Sequence, residues 1–299
     1  MPASVVNAIV NLHRAQLQGV IELGGVRRVR AMYEEARAEL EAKLAAMRRA
    51  GEGQTFGAQH LRMVLLQVND GLRTFQQDFG PELSRQARVA ADLAQRHLVG
   101  AIKKMERRYS GVEPVLRIEE AGVFQGVYRG IEPTLLHRHH TLMSAYSMPT
   151  IERVRKQLAL SMLSNETVDQ AVNRVAASGG IFDKERWRAD RIVRTESSMA
   201  YSVVNQRCME HTSREIPDLR KRWIETMDNR TGEDSKELQG QTVRVDQQFV
   251  WRKKTKHGTE EVRLDGPPNR PNCRALVLPW RAEYPGKQVT SGPVTPKMP

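Results

Sequence analysis

Apolar residues at Val26, Val29, Tyr33, Ala36, Leu40, Leu44 and Met47 recur at intervals of three and four, while Glu34, Glu35, Arg37, Glu41 and Lys43 fall between them. That spacing puts one apolar stripe on a helix and leaves the opposite side charged, so the segment must pack against a partner. Gly51-Glu52-Gly53 breaks the pattern, and a second stripe follows at Leu61, Val64, Leu65, Val68, Leu72, Phe75 and Phe79. Gly80-Pro81 is predicted to stop that helix, and the short joint at residues 51–53 predicts that the two pair as an antiparallel hairpin. A third helix is predicted from Glu82 to Tyr109, with Leu83, Ala87, Ala90, Ala94, Leu98, Ile102 and Met105 as its seam. Phe, Trp and Tyr make up only 5% of the chain, so the core of such helices is built from Leu, Val, Ile, Ala and Met.

Beyond a loop at Gly111–Pro114, helical segments at 117–129 and 133–146 are predicted on either side of Gly130-Ile131-Glu132-Pro133. Pro149 suits a first helical turn and opens a helix through Met162. Ser164-Asn165-Glu166-Thr167 offers a cap for Val168–Ala176, Ser178-Gly179-Gly180 ends that helix, and Asp183 caps a long one carrying Trp187, Ile192, Ala200, Val203 and Val204 toward Met209. From Arg220 the texture changes to short β-branched runs: Lys221–Met227, Thr242–Val245, Phe249–Trp251, Glu260–Leu264 and Arg274–Leu278, separated by turn chemistry such as Lys256-His257-Gly258. The fold class is therefore α+β. A helical region spans 1–180, a small α+β module with short antiparallel strands spans 181–280, and a tail over 281–299 holds Pro285, Pro293, Pro296 and Pro299.

The chain of 299 residues carries a formal net charge of +12, and half of that excess lies in residues 251–299, with 10 basic against 4 acidic side chains. Such a balance favours anionic company, nucleic acid or an acidic protein surface, without choosing between them. Charges interrupt every apolar run well before 18 residues, which argues against a membrane span. The first residues, MPASVVNAIVNLHRAQ, lack a basic start followed by an unbroken apolar core and do not read as a secretory leader, so the cytoplasm is the expected place of synthesis and assembly. Two cysteines, Cys208 and Cys273, are too few for a disulfide framework or a four-ligand zinc site, and buried thiols are expected.

The most specific feature is a series of separated residues in one order. Arg194-Thr195-Glu196 is followed by Ala200 and Asn205, then Trp223, then Asp228-Asn229-Arg230-Thr231. Leu238, Gly240, Gln241 and Phe249 come next, and Asn272-Cys273-Arg274 runs into Pro279. This order resembles the phage Mu F-like head morphogenesis family of minor capsid proteins over roughly residues 190–280. The resemblance implies a virion protein in the capsid interior at the portal vertex, acting in procapsid assembly. Its implied partners are the portal protein, the major capsid or scaffold protein, and double-stranded DNA that it contacts during packaging or ejection. Two positions depart from the family pattern. Gly232–Lys236 stands where a His or Cys is usual, and Ala275 replaces the second Cys, so no metal and no other cofactor is expected here.

Read as physics, these residues build a scaffold and not a catalytic site. Asp228 and Asn229 can accept backbone N–H bonds to fix a turn, Arg230 can fork onto a carboxylate such as Glu196, Arg194 and Glu196 can form a salt-bridge network, and Trp223 and Phe249 supply apolar bulk. An ADP-ribosyltransferase-like site built from an Arg, a Thr and a Glu is the competing enzymatic reading, and it needs a nicotinamide pocket that the sequence does not offer. His137, His139 and His140 form one histidine cluster; 137 and 140 share a helix face and 139 points away. Arg252, Lys253, Lys254 and Lys256 on a predicted hairpin suit phosphate contact or a solvated loop. Two other functions stay open: a stand-alone basic DNA-binding protein without capsid contacts, and the F-like module of a toxin or transferase.

Overall fold

The computed structural model describes residues 3–111, 113–176 and 181–282. The Ser178-Gly179-Gly180 stop and most of the Pro-rich tail lie outside the described residues. In chain order the elements are α1 (Ala3–Gly19), a π-helical segment (Val20–Val26), α2 (Arg27–Ala50), α3 (Ala58–Tyr109), a 3-10 turn (Arg117–Glu119), α4 (Ala121–Leu163), α5 (Val168–Ala176) and α6 (Ile181–Thr212). Then follow β1 (Arg220–Ile224), α7 (Glu233–Lys236), β2 (Thr242–Arg244), β3 (Phe249–Thr255), β4 (Gly258–Leu264) and β5 (Leu276–Trp280). This is an α+β chain, helical first and stranded last.

Three predicted helix breaks do not occur. Pro81 lies inside α3, and Pro133 and Pro149 both lie inside α4. A proline deletes one ladder bond and costs about 3 kcal/mol in a helix interior. The apolar stripe Leu72, Phe75, Phe79, Leu83 and Ala87 nevertheless runs buried straight through Pro81, and Ile131 and Leu135 flank Pro133 in the same way. Burial on both sides outweighs one lost bond, which composition alone does not reveal.

The chain divides into two compact units. One comprises residues 23–85 and 134–193. Here α2 and the first part of α3 form the predicted antiparallel hairpin: Tyr33 meets Phe75 edge-on at 5.5 Å between ring centres, and the Cβ of Leu40 faces Gly71. Thr167 opens α5 as predicted, its Oγ1 accepting from Gln170 N (3.3 Å) while Gln170 Oε1 accepts from Thr167 N (2.9 Å), a reciprocal capping box. A bridge between Thr55 and Thr167 ties the α2–α3 joint to the α4–α5 joint. Arg30 forks onto the buried Asp190 at 2.9 and 2.7 Å.

The other unit comprises residues 1–22, 86–133 and 194–299. Its strands form an antiparallel sheet in the order β2-β1-β5, with Trp223 opposite Val277 and Ile224 opposite Leu276, and a separate hairpin of β3 and β4. The sheet does not supply its own core. Val6, Ile9 and Val10 of α1, Ala101 and Met105 of α3, and Ile224, Leu278 and Trp280 of the sheet form one buried cluster. Asn205 of α6 donates to Val277 O (2.9 Å), tying this helix to β5.

α1 is also held by aromatic and polar contacts. His13 stacks on His97 of α3 at 3.8 Å with an interplanar angle of 2°. Gln16 Oε1 sits 2.7 Å from His97 Nε2, and the Tyr201 hydroxyl of α6 sits 2.8 Å from His97 Nδ1. A carboxamide oxygen accepts only, so His97 carries its proton on Nε2 and Tyr201 donates to Nδ1. Burial is the main reason both imidazoles resist protonation. His13 is pushed down to about 2, with His97 and Lys104 adding to the effect, and His97 to about 4, with Arg96 adding.

Met105→Ala, which empties the shared core, is expected to cost about 2–5 kcal/mol, read as a lower denaturation midpoint at unchanged m-value. The unfolded chain takes up protons on His13 and His97 below about pH 6.5, the ordinary histidine value, while the folded chain does not. Stability therefore falls with acidification from there toward the folded values, by about 1.4 kcal/mol per pH unit for each histidine. Urea titrations of His13→Phe between pH 6 and 5 are expected to show about half the acid slope of the unaltered chain.

Candidate functional site

The motif residues converge where β1 leaves the sheet and the chain returns to enter β5. Asp228 closes the turn after β1: its Oδ1 accepts from Arg230 N (3.0 Å) and from Thr231 Oγ1 (3.2 Å). Arg274, two residues before β5, donates Nη1 to Asp228 Oδ2 (2.6 Å) and Nη2 to Asp228 Oδ1 (2.7 Å). Thr226 Oγ1 donates to Arg274 O (3.0 Å), and Thr231 Oγ1 donates to Thr226 O. The hydrogen bonds from Arg274 hold the Asp228 carboxyl well below the usual carboxylate range, and the backbone N–H of Arg230 adds to this. A bidentate ion pair of this kind fixes orientation as well as distance.

Behind the turn, Trp223 is fully buried and meets Phe249 edge-on at 5.2 Å. Its Nε1 donates to Glu225 Oε2 (3.1 Å), and Thr226 N donates to Glu225 Oε1 (3.1 Å). Burial raises the Glu225 carboxyl against these donors. Glu225 N donates to Gln239 Oε1 (2.6 Å), and Arg14 of α1 donates to Glu225 O (2.7 Å). Gly240 has a φ of +79°, and a Cβ there would stand 3.3 Å from Arg222 Nη2. Its N–H reaches Trp223 O (2.9 Å) while Gln241 O takes the Trp223 N–H (2.9 Å). The Gln241 amide then donates to Val250 O (2.9 Å) and accepts from Val250 N (3.2 Å), as a neighbouring strand would. The Leu238–Gln241 segment thus joins the sheet to the hairpin.

The remaining motif residues occupy separate places. Arg194 of α6 forks onto Glu22 at 2.7 and 3.0 Å. Thr195 Oγ1 accepts from Asn272 N (3.4 Å), where Asn272 adopts a left-handed φ of 59°, a conformation asparagine tolerates better than most residues. Glu196 is buried. Arg230 departs from expectation: it does not fork onto Glu196, its guanidinium is mostly solvated with its nearest carboxylate contact at 3.9 Å to Asp228, and the bidentate fork at this turn is made by Arg274. Cys273 is partly buried, and burial, reinforced by Glu225, pushes its thiol up to about 11; Cys208 is fully buried and pushed up to about 12. Neither is a thiolate at neutral pH.

Sequence reasoning missed several supporting residues. Arg270 donates to Asp234 (2.5 Å) and lies over the Trp251 ring at 5.3 Å, and Asn269 donates to Ser235 Oγ (2.9 Å). Lys221 is wholly buried, donating to Gln206 Oε1 (2.9 Å) and Asp265 O (3.0 Å). One signal was legible for Arg14: it is the only charged residue other than histidine in the α1 sequence.

Arg252, Lys253, Lys254 and Lys256 are all exposed on the β3–β4 hairpin. Arg252 stands opposite Glu261 and Lys253 opposite Glu260, so acids offset the base of the run, while Lys254 faces Thr259 toward the tip. His137 and His140 are exposed and His139 is buried, and no cluster of three or more His, Cys, Asp or Glu able to hold a metal occurs among the described residues. No helix among the described residues is long and apolar enough to cross a membrane.

Residues 152–278 match the family model described as Phage Mu protein F like protein. The match contains every element of the Asp228–Arg274 turn and agrees with the module identified from motif order. No curated protein and no solved structure matches the chain.

Asp228→Ala removes both Arg274 bonds and the acceptor of the turn, and is expected to destabilise the chain by about 2–3 kcal/mol. Asp228→Asn keeps the acceptor for Arg230 N and is expected to lose less. Melting temperatures of the two variants, ranked in that order below the unaltered chain, check the assignment.

Proposed function

We propose that this chain is a structural component of a phage head, built in at the portal vertex during procapsid assembly, and that it makes and breaks no covalent bond there. The match of residues 152–278 to the Mu F-like family is the observation that carries the reading. The use made of the motif residues supports it. Asp228 is spent on Arg274 and its own turn, Arg194 on Glu22, Trp223 on the core and on Glu225. Charged groups held this way confer shape, and a shape-bearing module suits docking onto other subunits. On this reading the major capsid or scaffold protein lines part of the same environment, and the virion interior is where the mature protein resides.

A second reading rests on the hairpin. Arg252, Lys254 and Lys256 have no acidic partner within ion-pair distance and stand clear of the sheet, an arrangement suited to phosphate contact with packaged duplex DNA. DNA contact is compatible with portal attachment and also with a protein that binds DNA alone.

Co-expression with portal and scaffold proteins followed by pull-down separates the two. Recovery of a stoichiometric complex with portal, resistant to nuclease, is the expected result. Absence of every such complex, together with tight DNA binding that weakens steeply with salt, would make the chain a free DNA-binding protein.

A further inference from the structure

We propose that the pocket between α1 and α3 binds a small organic anion, a ligand with a compact apolar body and one phosphate or carboxylate head. This goes beyond the assembly role and does not depend on it. The pocket encloses about 380 Å³, and its walls are Leu12, His13 and Gln16 of α1 with Leu93, Arg96, His97, Gly100 and Lys104 of α3. That volume is in the range of sites for small molecules.

The lining contains two cations and two imidazoles and no carboxylate. Arg96 and Lys104 have no acid within ion-pair distance, which sets them apart from Lys103 one residue away, held by Glu119 at 2.8 Å. Each leans on the histidine stack closely enough to disfavour its protonation, Lys104 on His13 and Arg96 on His97. Two positive groups lining one pocket without a counter-ion favour an anionic occupant. His13 forms part of the wall: its side chain is 5% exposed and its Nδ1 is closed to solvent without a hydrogen-bond partner, so it bounds the pocket and adds no carboxylate to it.

The apolar half of the site comes from Leu12, Leu93 and the flat face of the stack. Arg96, Gly100 and Lys104 succeed one another at four-residue steps and so share one face of α3. A Cβ built on Gly100 meets nothing within 4 Å, so the glycine leaves open space between the two cations. A ring seated over Gly100 lies between the two cations, about one helical turn from each, so an anionic head meets one or the other. Tyr201 and Gln16 hold the His97 ring in place by hydrogen bonds and keep its proton on Nε2.

The test uses the full chain with 15N-labelled histidine at pH 7.5 and three probes: phenylphosphate, inorganic phosphate and benzyl alcohol. Phenylphosphate is expected to shift the His13 and His97 signals saturably at millimolar concentration, the affinity proper to so small a ligand. Inorganic phosphate is expected to bind at least about tenfold more weakly, and benzyl alcohol to leave both signals in place. Lys104→Ala, at an exposed position, is expected to weaken phenylphosphate about three- to tenfold. Gly100→Leu fills the pocket and is expected to abolish the shift while helical circular dichroism is kept. Equal shifts from benzyl alcohol, equal affinity for inorganic phosphate, or undiminished binding by Gly100→Leu would each overturn the proposal.

Discussion

A three-stranded sheet of five, three and five residues has too little side-chain area to hold its own inner face away from water. Here that face is closed by helices from far earlier in the chain. Val6, Ile9 and Val10 of α1 and Ala101 and Met105 of α3 lie against Ile224, Leu278 and Trp280, so the core joins residues more than 200 positions apart. Everything described at the β1–β5 exit rests on this burial. Without it the strand order β2-β1-β5 has no face to bury, and Asp228 and Arg274 are not brought within reach of each other.

The same dependence explains why key polar groups behind the turn in this unit are paired. Once α1 covers the sheet, Arg14 enters a region of low dielectric, where its Nη2 bonds Glu225 O and the surrounding carboxylates Glu225 and Asp228 offset part of the cost of burying a cation. Burial of Trp223 requires a partner for its indole N–H, and Glu225 provides one. Removing one member leaves another buried without a partner, which costs more than the bond itself contributes. The family match begins at residue 152, whereas the residues that bury its sheet begin at residue 6. The matched segment and the cooperative unit are therefore different stretches of chain.

What the sequence showed, and what it hid, follows from the range of the interactions. Strand positions, the turn at Asp228 and the cap at Thr167 depend on residues within a few positions, and the α+β class with its five strands was legible. Helix continuity through Pro81 and Pro133 depends on whether both flanking stripes are buried, a tertiary fact, and local rules placed breaks there. The choice of carboxylate for each arginine was hidden for the same reason. Arg230 lies closest in sequence to Asp228, yet Arg274, 46 residues on, makes the fork. The Mu F-like motif was readable because its residues keep a fixed order even though most of their contacts are non-local. The histidine stack had no local signal: His13 and His97 are 84 positions apart and neither belongs to a recognisable pattern.

The net charge of +12 can now be divided by what each cation touches. Arg14 is buried, and Arg194, Arg270, Arg274 and Arg281 are paired with carboxylates, Arg281 with Glu106 at 2.9 Å and Asp218 at 2.7 Å, so their charge is largely offset where a partner would meet it. Among the described residues, the cations with no acid within ion-pair distance include Arg96, Lys104, Arg107 and Arg108 along α3, and Arg252, Lys254 and Lys256 on the β3–β4 hairpin. Screening limits each patch to about a Debye length, roughly 8 Å at physiological salt, so a partner responds to the local group and not to the total. The basic composition alone pointed to anionic company of any kind. Its distribution separates a concave site suited to a small anion from an exposed arm suited to an extended one, and those are different partners requiring different experiments.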